Sequence, residues 1–163
     1  MNLVPRAGAL MPLSILLVYV LTLLPLPGAL LYAKPFWLGL FIIWLSLERP
    51  RNGRIGFAFC LGLGADLLLG TWFGEHAFRL VVMAFIVGRF RARLRFFPLW
   101  QQTLAVGALL LNDRIVVLML RSFDAPVSTD ALYWLPASTG MLLWPVLVVA
   151  LDDLRQRMRV RSG

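Results

Sequence analysis

The sequence predicts an all-α membrane protein in which a single domain, residues 1–163, contains six transmembrane helices. Apolar residues make up 60% of the chain and charged residues only 15%, whereas soluble domains average about half and about a quarter. A chain of 163 residues cannot bury that much apolar surface in a soluble core. The charged residues also fall in short clusters between long apolar runs, which is typical of a multi-span membrane protein.

Each span corresponds to one apolar run. The first has the length of a signal peptide, but no small-residue cleavage site follows it, so we interpret it as an uncleaved span. The second is short for a bilayer crossing unless the residues after Gly28 extend it. The third and fourth flank a glycine-rich turn, Asn112–Arg114 interrupts the fifth, and the sixth contains two prolines. The predicted spans are residues 10–24, 30–47, 55–70, 75–90, 99–120 and 132–151.

The basic residues predict the orientation of these spans. The chain has a net charge of +8 and 16 basic residues, and cytoplasmic connections of membrane proteins carry an excess of lysine and arginine. Twelve of the 16 fall on one side of a six-span topology, which therefore places both termini in the cytoplasm. These twelve are Arg6, Arg49, Arg51, Arg54, Arg89, Arg91, Arg93, Arg95, Arg155, Arg157, Arg159 and Arg161.

Several function classes are excluded by what the chain contains. The basic residues do not form one water-facing surface with base-reading side chains, so we expect no nucleic-acid partner. One cysteine, Cys60, and one histidine, His76, leave few metal ligands, and we expect no metal and no cofactor. We expect His76 to face lipid headgroups at the outer turn. Because no nucleophile–base pair or phosphate loop is present, we expect no enzymatic activity.

Small residues recur every four positions in the third span. Gly62, Asp66, Gly70 and Gly74 form one stripe, and Gly56, Cys60 and Gly64 form a second. Such stripes allow close approach of a helix, either from the same chain or from a partner. We also expect Gly70 to Gly74 to form the tight outer turn, because glycine tolerates left-handed backbone angles.

We interpret four charged residues as lying inside the membrane, away from the ends of the spans: Asp66, Arg79, Asp113 and Arg114. A carboxylate inside a span costs roughly 2.5–3.5 kcal/mol on insertion scales unless it is paired or hydrated. Counting helical rise from the nearest connection places all four in the outer half of the bilayer. Three interpretations stay open. They are buried ion pairs, with Asp66 bound to Arg79 or Arg114, an outward-facing ligand or partner site, and a proton relay.

Two arginine clusters mark the cytoplasmic side, Arg89, Arg91, Arg93 and Arg95 after the fourth span and Arg155, Arg157, Arg159 and Arg161 in the tail. Each cluster attracts anionic lipid of the inner leaflet, by about 1 kcal/mol per charge near the surface. The alternative is that these clusters dock a cytoplasmic protein.

The six short spans, the stretch from Gly62 through Asp66 to Gly74, and the basic connection leading into Pro98-Leu-Trp-Gln-Gln102 resemble the rod shape-determining protein MreD family over the whole chain. The resemblance implies a multi-pass protein of the bacterial inner membrane that belongs to the cell-elongation machinery for lateral peptidoglycan synthesis. It implies a non-enzymatic scaffold that binds MreC and, through MreC, the MreB filament. It also implies association with RodA and its penicillin-binding transpeptidase.

The MreD family is also similar in fold to the S-components of energy-coupling-factor transporters. This similarity supplies an alternative function, a small-molecule-binding subunit of a transporter with the outer polar residues as its site. An enzyme acting on lipid-linked substrates ranks last, because neither Asp66 nor Asp113 has an obvious partner group for chemistry. For the scaffold, we expect the small residues of span three to accept the single span of MreC, and the outer loops, including Phe123–Thr129, to contact its periplasmic part.

Overall fold

The computed structural model describes residues 10–48, 54–123 and 129–161, and these residues form six α-helices and no strand. The prediction of an all-α chain with six helices is confirmed. The helices are α1 (Leu10–Leu23), α2 (Trp37–Glu48), α3 (Arg54–Leu69), α4 (Glu75–Phe96), α5 (Leu99–Arg121) and α6 (Ala131–Arg161).

The second helix starts later than the sequence predicted. A separate 3₁₀ helix covers Gly28–Leu31, and α2 begins only at Trp37. Gly28 has a positive φ of 56°, and Pro35 follows, so the chain is interrupted twice before a regular helix can start. The 12 residues of α2 extend about 18 Å, less than the roughly 30 Å of a hydrocarbon core.

Helices α2 and α4 lie at the centre of the bundle. One core cluster joins them to α5 and α6 and includes Leu40, Val87 and Trp144. A second cluster joins them to α1 and α3 and includes Ile42 and Leu80. Because α2 contributes to both clusters, most of its residues are buried, whereas α1 lies at the periphery with one face exposed.

The helices alternate in direction, so their ends gather at two sides of the bundle. We call the side with the helix ends Leu69, Glu75, Arg121 and Ala131 the hairpin end. We call the opposite side, with the helix ends Glu48, Arg54, Phe96 and Leu99, the arginine end. At this end α4 stops at Phe96, because the residue before Pro98 is disfavoured in the helical region, and Phe97 is extended with ψ 139°.

The exterior of the bundle is apolar. Thirty-three large apolar side chains are exposed among the described residues, for example Leu67 at 71% and Leu142 at 74%. Monomers in water rarely expose contiguous apolar surface of that extent. Helix α5 and the part of α6 from Ala131 to Asp153 are long and apolar enough to cross a membrane, and α1 and α2 are apolar but shorter.

Candidate functional site

The carboxylate of Asp66, near the end of α3, lies against the first turn of α4. Its Oδ1 accepts hydrogen bonds from the backbone N–H of His76 at 2.9 Å and from the Thr71 hydroxyl at 3.0 Å. Its Oδ2 accepts from the backbone N–H of Gly74 at 2.9 Å and of Ala77 at 3.4 Å. An α-helix begins with N–H groups that have no partner within the helix, and here a carboxylate from the neighbouring helix supplies that partner.

The turn between α3 and α4 brings these groups to the carboxylate. Gly70 and Gly74 have φ of 62° and 102°, left-handed values that favour glycine, so the predicted glycine turn is confirmed. Gly74 directly precedes α4 and has no side chain with which to cap it. The cap therefore comes from Asp66, eight residues earlier in the chain.

A close approach of the two helices keeps this cap in place. A Cβ atom added to Gly62 would lie 2.5 Å from the backbone nitrogen of Ala77, so only glycine allows α3 to come this near to α4. Gly62 and Asp66 are one helical turn apart and face the same part of α4. The first stripe of small residues thus serves packing and turn formation within this chain.

A second buried polar pair joins α4 to α5. The guanidinium of Arg79 donates from Nε to Asp113 Oδ1 at 2.8 Å and from Nη2 to Asp113 Oδ2 at 2.6 Å, a two-point contact between side chains that are 7% and 2% exposed. Glu75 lies 3.8 Å from Arg79 and accepts a hydrogen bond at 3.0 Å from Arg121, at the end of α5. The negative charges of two carboxylates are therefore matched by the positive charges of two guanidinium groups between α4 and α5.

The ring of Phe36 connects the two polar groups. The guanidinium carbon of Arg79 lies 4.1 Å from the centre of this ring, and the His76 ring lies 6.2 Å from it on centres. A cation over an aromatic face is stabilised by the charge distribution of the ring. Gly39, one turn further along, has no side chain, and a Cβ there would collide with the Phe36 ring.

The observed pairing differs from the ion pairs that the sequence suggested. Asp66 is bound by Thr71, His76 and backbone N–H groups, while Arg79 pairs with Asp113. Arg114 lies with its guanidinium carbon 5.4 Å from the centre of the Tyr133 ring, and its carbonyl accepts a 2.8 Å hydrogen bond from the Tyr133 hydroxyl. Which arginine meets which carboxylate depends on the rotation of each helix about its axis, which residue depth does not determine.

The expectation that His76 faces lipid headgroups is wrong. This histidine is 7% exposed, and its Nδ1 lies 2.8 Å from Asp66 Oδ1. Since an ionised carboxylate only accepts hydrogen bonds, we assign the proton to Nδ1. Sequence reasoning also missed Thr71, Glu75, Arg121 and Phe36. The signal for Thr71 was its position in the turn that follows Asp66, and the signal for Glu75 was its position at the start of α4.

The second stripe of small residues divides between the inside and the outside of the bundle. A Cβ at Gly64 would lie 2.5 Å from the hydroxyl of Tyr19 on α1, and that hydroxyl donates to the carbonyl of Leu61 at 2.6 Å. Gly56 and Cys60 are exposed, and a Cβ at Gly56 would meet no atom within 4 Å. Within the described chain, Gly64 is therefore covered by α1, and Gly56 and Cys60 face outward.

Basic side chains cap two helices whose last carbonyls have no partner within the helix. Lys34 Nζ donates to the carbonyls of Thr22 and Leu24 at the end of α1. At the end of α2, Arg54 Nη1 donates to the carbonyl of Ser46 at 2.8 Å, and Arg91 Nε donates to the carbonyl of Leu47 at 3.0 Å. A cation at a helix C-terminus also interacts favourably with the helix dipole.

The arginines of the first predicted lipid-contact cluster differ in their exposure. Arg89, Arg93 and Arg95 are exposed at the arginine end, whereas Arg91 is partly buried in its contact with α2. The backbone of α6 continues to Arg161, but the side chains of Arg155, Arg157, Arg159 and Arg161 lie outside the described residues. Arg6, Arg49, Arg51 and most of the predicted outer loop, residues 124–128, lie outside them as well.

The buried polar groups at the hairpin end join helices to one another. Each charged group here has its partner within the chain, and no group of three or more His, Cys, Asp or Glu among the described residues could hold a metal ion. Together with the apolar exterior, this arrangement defines a structural helical bundle and is consistent with a membrane protein.

Residues 7–152 match the family model described as rod shape-determining protein MreD. The chain is also 30% identical over 145 residues to the rod shape-determining protein MreD of Haemophilus influenzae, covering 87% of this chain and 88% of that relative. No solved structure matches the chain significantly. The chain belongs to the MreD family of rod shape-determining proteins, and this membership supports a role in determining rod shape.

Proposed function

We propose that this chain is a non-enzymatic, six-span scaffold of the cell-elongation machinery in the bacterial inner membrane, with both termini in the cytoplasm. Family membership supports the role in rod shape, and the apolar exterior supports insertion in a membrane. The twelve basic residues assigned to one side support the orientation. The exposed residues Arg89, Arg93 and Arg95 then face anionic lipid of the inner leaflet.

The proposed partner is MreC, and the surface that would receive its single span is the outward face of α3. The observation that carries this assignment is the exposure of Gly56 and Cys60, four residues apart on one face, on a helix whose other small residues are already covered. Between helices in lipid, association comes from close backbone contact, because lipid chains are as apolar as the helix itself. Through MreC, the scaffold would associate with MreB, RodA and the penicillin-binding transpeptidase.

Cys60 allows a direct test, because it is the single cysteine of the chain and it is exposed. We expect oxidative crosslinking of Cys60 to a cysteine placed in the span of MreC in intact membranes. The matched control is Cys60→Ser combined with Leu142→Cys, which moves the cysteine to an exposed position on α6. Crosslinking from Leu142→Cys and not from Cys60 would contradict the assignment of the interface to α3.

A second variant tests close approach without a crosslinker. Gly56→Leu places a large side chain in space that is open in this chain, so the folded scaffold should tolerate it. A partner helix that packs against Gly56 cannot approach as closely once leucine is present. Co-purification of MreC should therefore fall about tenfold, which corresponds to about 1.4 kcal/mol of binding free energy. Unchanged co-purification would remove Gly56 from the interface.

The alternative of an S-component-like, small-molecule-binding subunit has less support. Its site was to be formed by Asp66, Arg79, Asp113 and Arg114, and the first three of these side chains are buried and bound to other groups of the chain. A similarity to S-components in architecture does not imply a shared function. A small molecule that survives purification and whose binding requires Asp66 would favour this alternative over the scaffold.

A further inference from the structure

Contacts at the arginine end place residues of α4, α5 and α6 at one level of the bundle. Trp144 Nε1 on α6 donates to Gln102 Oε1 at 3.3 Å, and Gln102 Nε2 donates to the carbonyl of Leu94 on α4 at 3.4 Å. Slightly further toward this end, Arg95 on α4 and Asp152 on α6 line the same cleft. The outer faces of α4 and α6 can therefore be compared at equal height.

At this height the two outer faces differ in polarity. On α4, Arg93 and Arg95 are exposed. On α6, Val146 and Val149 are 64% and 60% exposed, and the helix has no charged residue before Asp152. A membrane surface perpendicular to the bundle would place either these arginines in hydrocarbon or these valines in water, and both are unfavourable.

Aromatic side chains among the arginines agree with a position of this part of α4 at the inner headgroups. Phe90 and Phe96 are 50% and 86% exposed. Arginine together with phenylalanine or tryptophan is typical of helices that lie at the membrane surface. The end of α4 is therefore suited to the headgroup layer, whereas the part of α6 at the same height is suited to hydrocarbon.

The first exposed charges measure the offset between the two sides. On α4 this charge is Arg89, six residues before Arg95, which corresponds to about 9 Å of helical rise. On α6 it is Asp152, which lines the cleft together with Arg95. Arginine side chains reach along a helix toward headgroups, which shortens the offset but leaves its direction.

The hairpin end shows an offset in the same direction. Arg121 on α5 donates to Glu75 at 3.0 Å, so the two residues are level, and the Arg121 side chain is 54% exposed. The turn before Glu75 instead exposes Trp72 at 66% and Phe73 at 73%. Phe123 is exposed on the α5 side as well, so the offset is smaller at this end. On the α3–α4 side, the apolar surface thus continues past the height at which α5 is already charged.

We propose that the bundle lies tilted in the membrane. The bilayer then meets the α3–α4 side nearer the hairpin end and the α5–α6 side nearer the arginine end. Tilt is set by the aromatic and arginine residues that a protein places at the two membrane surfaces. A single rotation brings Arg93 to the inner headgroups and Trp72 to the outer ones while it keeps Val149 in hydrocarbon. This inference rests on the membrane insertion in the proposed function and does not depend on MreC.

Nitroxide labels on single cysteines test the tilt at the arginine end. The full chain with Cys60→Ser is reconstituted in vesicles of phosphatidylethanolamine and phosphatidylglycerol. Collisions of each label are measured with oxygen, which concentrates in hydrocarbon, and with a neutral nickel chelate, which stays in water. The labelled variants are Ala92→Cys on α4 and Val149→Cys on α6, two exposed positions that each lie three residues before the cleft residues Arg95 and Asp152. Without tilt the two labels have equal depth, whereas we expect about tenfold more nickel collisions for the label on α4.

A second pair of labels tests the hairpin end. Phe73→Cys lies in the turn between α3 and α4, and Ser122→Cys directly follows α5; both positions are exposed. We expect oxygen collisions to dominate at the first and nickel collisions at the second. Phe85→Cys, at a 62% exposed position in the middle of α4, is the control for insertion and should collide mainly with oxygen.

Two charge variants test whether the arginines of α4 cause the tilt. In Arg89→Leu combined with Arg93→Leu, the apolar surface of α4 extends toward the arginine end, so nickel collisions of the Ala92→Cys label should fall about tenfold. Arg89→Lys combined with Arg93→Lys retains both charges and should leave these collisions unchanged. Equal effects of the two double variants would contradict the role of charge.

The outcomes separate the tilt from membrane insertion. Equal nickel collisions at Ala92→Cys and Val149→Cys, or more at Val149→Cys, would overturn the tilt. A difference between these two without one between Phe73→Cys and Ser122→Cys would indicate a bilayer thinned beside α4, and would overturn it as well. Frequent nickel collisions at Phe85→Cys would instead contradict insertion and with it the proposed function.

Discussion

Asp66 accepts two hydrogen bonds from His76, one from its backbone N–H at 2.9 Å and one from its ring Nδ1 at 2.8 Å. The two residues are ten positions apart, on different helices, and both are buried. A carboxylate that would be costly inside a membrane is thus used to start α4, where N–H groups would otherwise have no acceptor. The stability of the α3–α4 hairpin therefore depends on the charge of Asp66.

Asp66→Asn tests that dependence. The amide retains one acceptor oxygen but turns an NH₂ group toward the N–H donors of Gly74 and Ala77. We expect a loss of about 2–3 kcal/mol in the free energy of unfolding, measured by thermal denaturation in detergent. Asp130→Asn, at an exposed site before α6, is the matched control and should lie within about 0.5 kcal/mol of the unchanged protein. Equal effects of the two variants would show that Asp66 is not an effective cap.

The Arg79–Asp113 pair should behave as one unit in a double-mutant cycle. Either Arg79→Met or Asp113→Leu alone leaves a buried charge without its two-point partner, and we expect each to cost about 3–5 kcal/mol. The double variant removes both charges and should cost less than the larger single change, a coupling that thermal denaturation would measure. Additive losses would mean that the pair contributes no interaction energy to the α4–α5 contact.

Gly62→Ala tests the close approach of α3 and α4. The added Cβ would lie 2.5 Å from the Ala77 nitrogen, so the backbone of α4 must move, and we expect a loss of about 1–3 kcal/mol. Gly56→Ala is the control on the same helix. Its Cβ meets nothing within 4 Å, and the higher helix propensity of alanine should raise the free energy of unfolding by up to about 1 kcal/mol. Similar losses at both positions would contradict the packing described for Gly62.

The sequence predicted the parts of this structure that depend on local chemistry. Apolar runs predicted six helices, and the spacing of Gly70 and Gly74 predicted a turn with left-handed backbone, because only local conformational preference was needed. The partners of Asp66 could not be predicted in the same way. Nearly every residue has a backbone N–H group, so the sequence does not mark the ones that bind Asp66. Arginines, in contrast, are evident in the sequence as partners for a carboxylate. Likewise, hydropathy gave no indication that Arg91 is a helix cap.

Arg91 and Arg89 allow the two roles of the α4 arginines to be separated. Arg91 donates to the carbonyl of Leu47 at 3.0 Å and is partly buried, whereas Arg89 is exposed two residues earlier. Arg91→Gln removes a charged donor from the end of α2 and should cost about 1 kcal/mol of stability in thermal denaturation. Arg89→Gln should leave stability unchanged and weaken the binding of phosphatidylglycerol to the protein in detergent by about 1 kcal/mol, measured by native mass spectrometry. If Arg91→Gln instead lowered the binding of phosphatidylglycerol with no change in stability, the contact with Leu47 would not support α2. The arginine cluster would then have to be treated as a lipid-binding surface throughout.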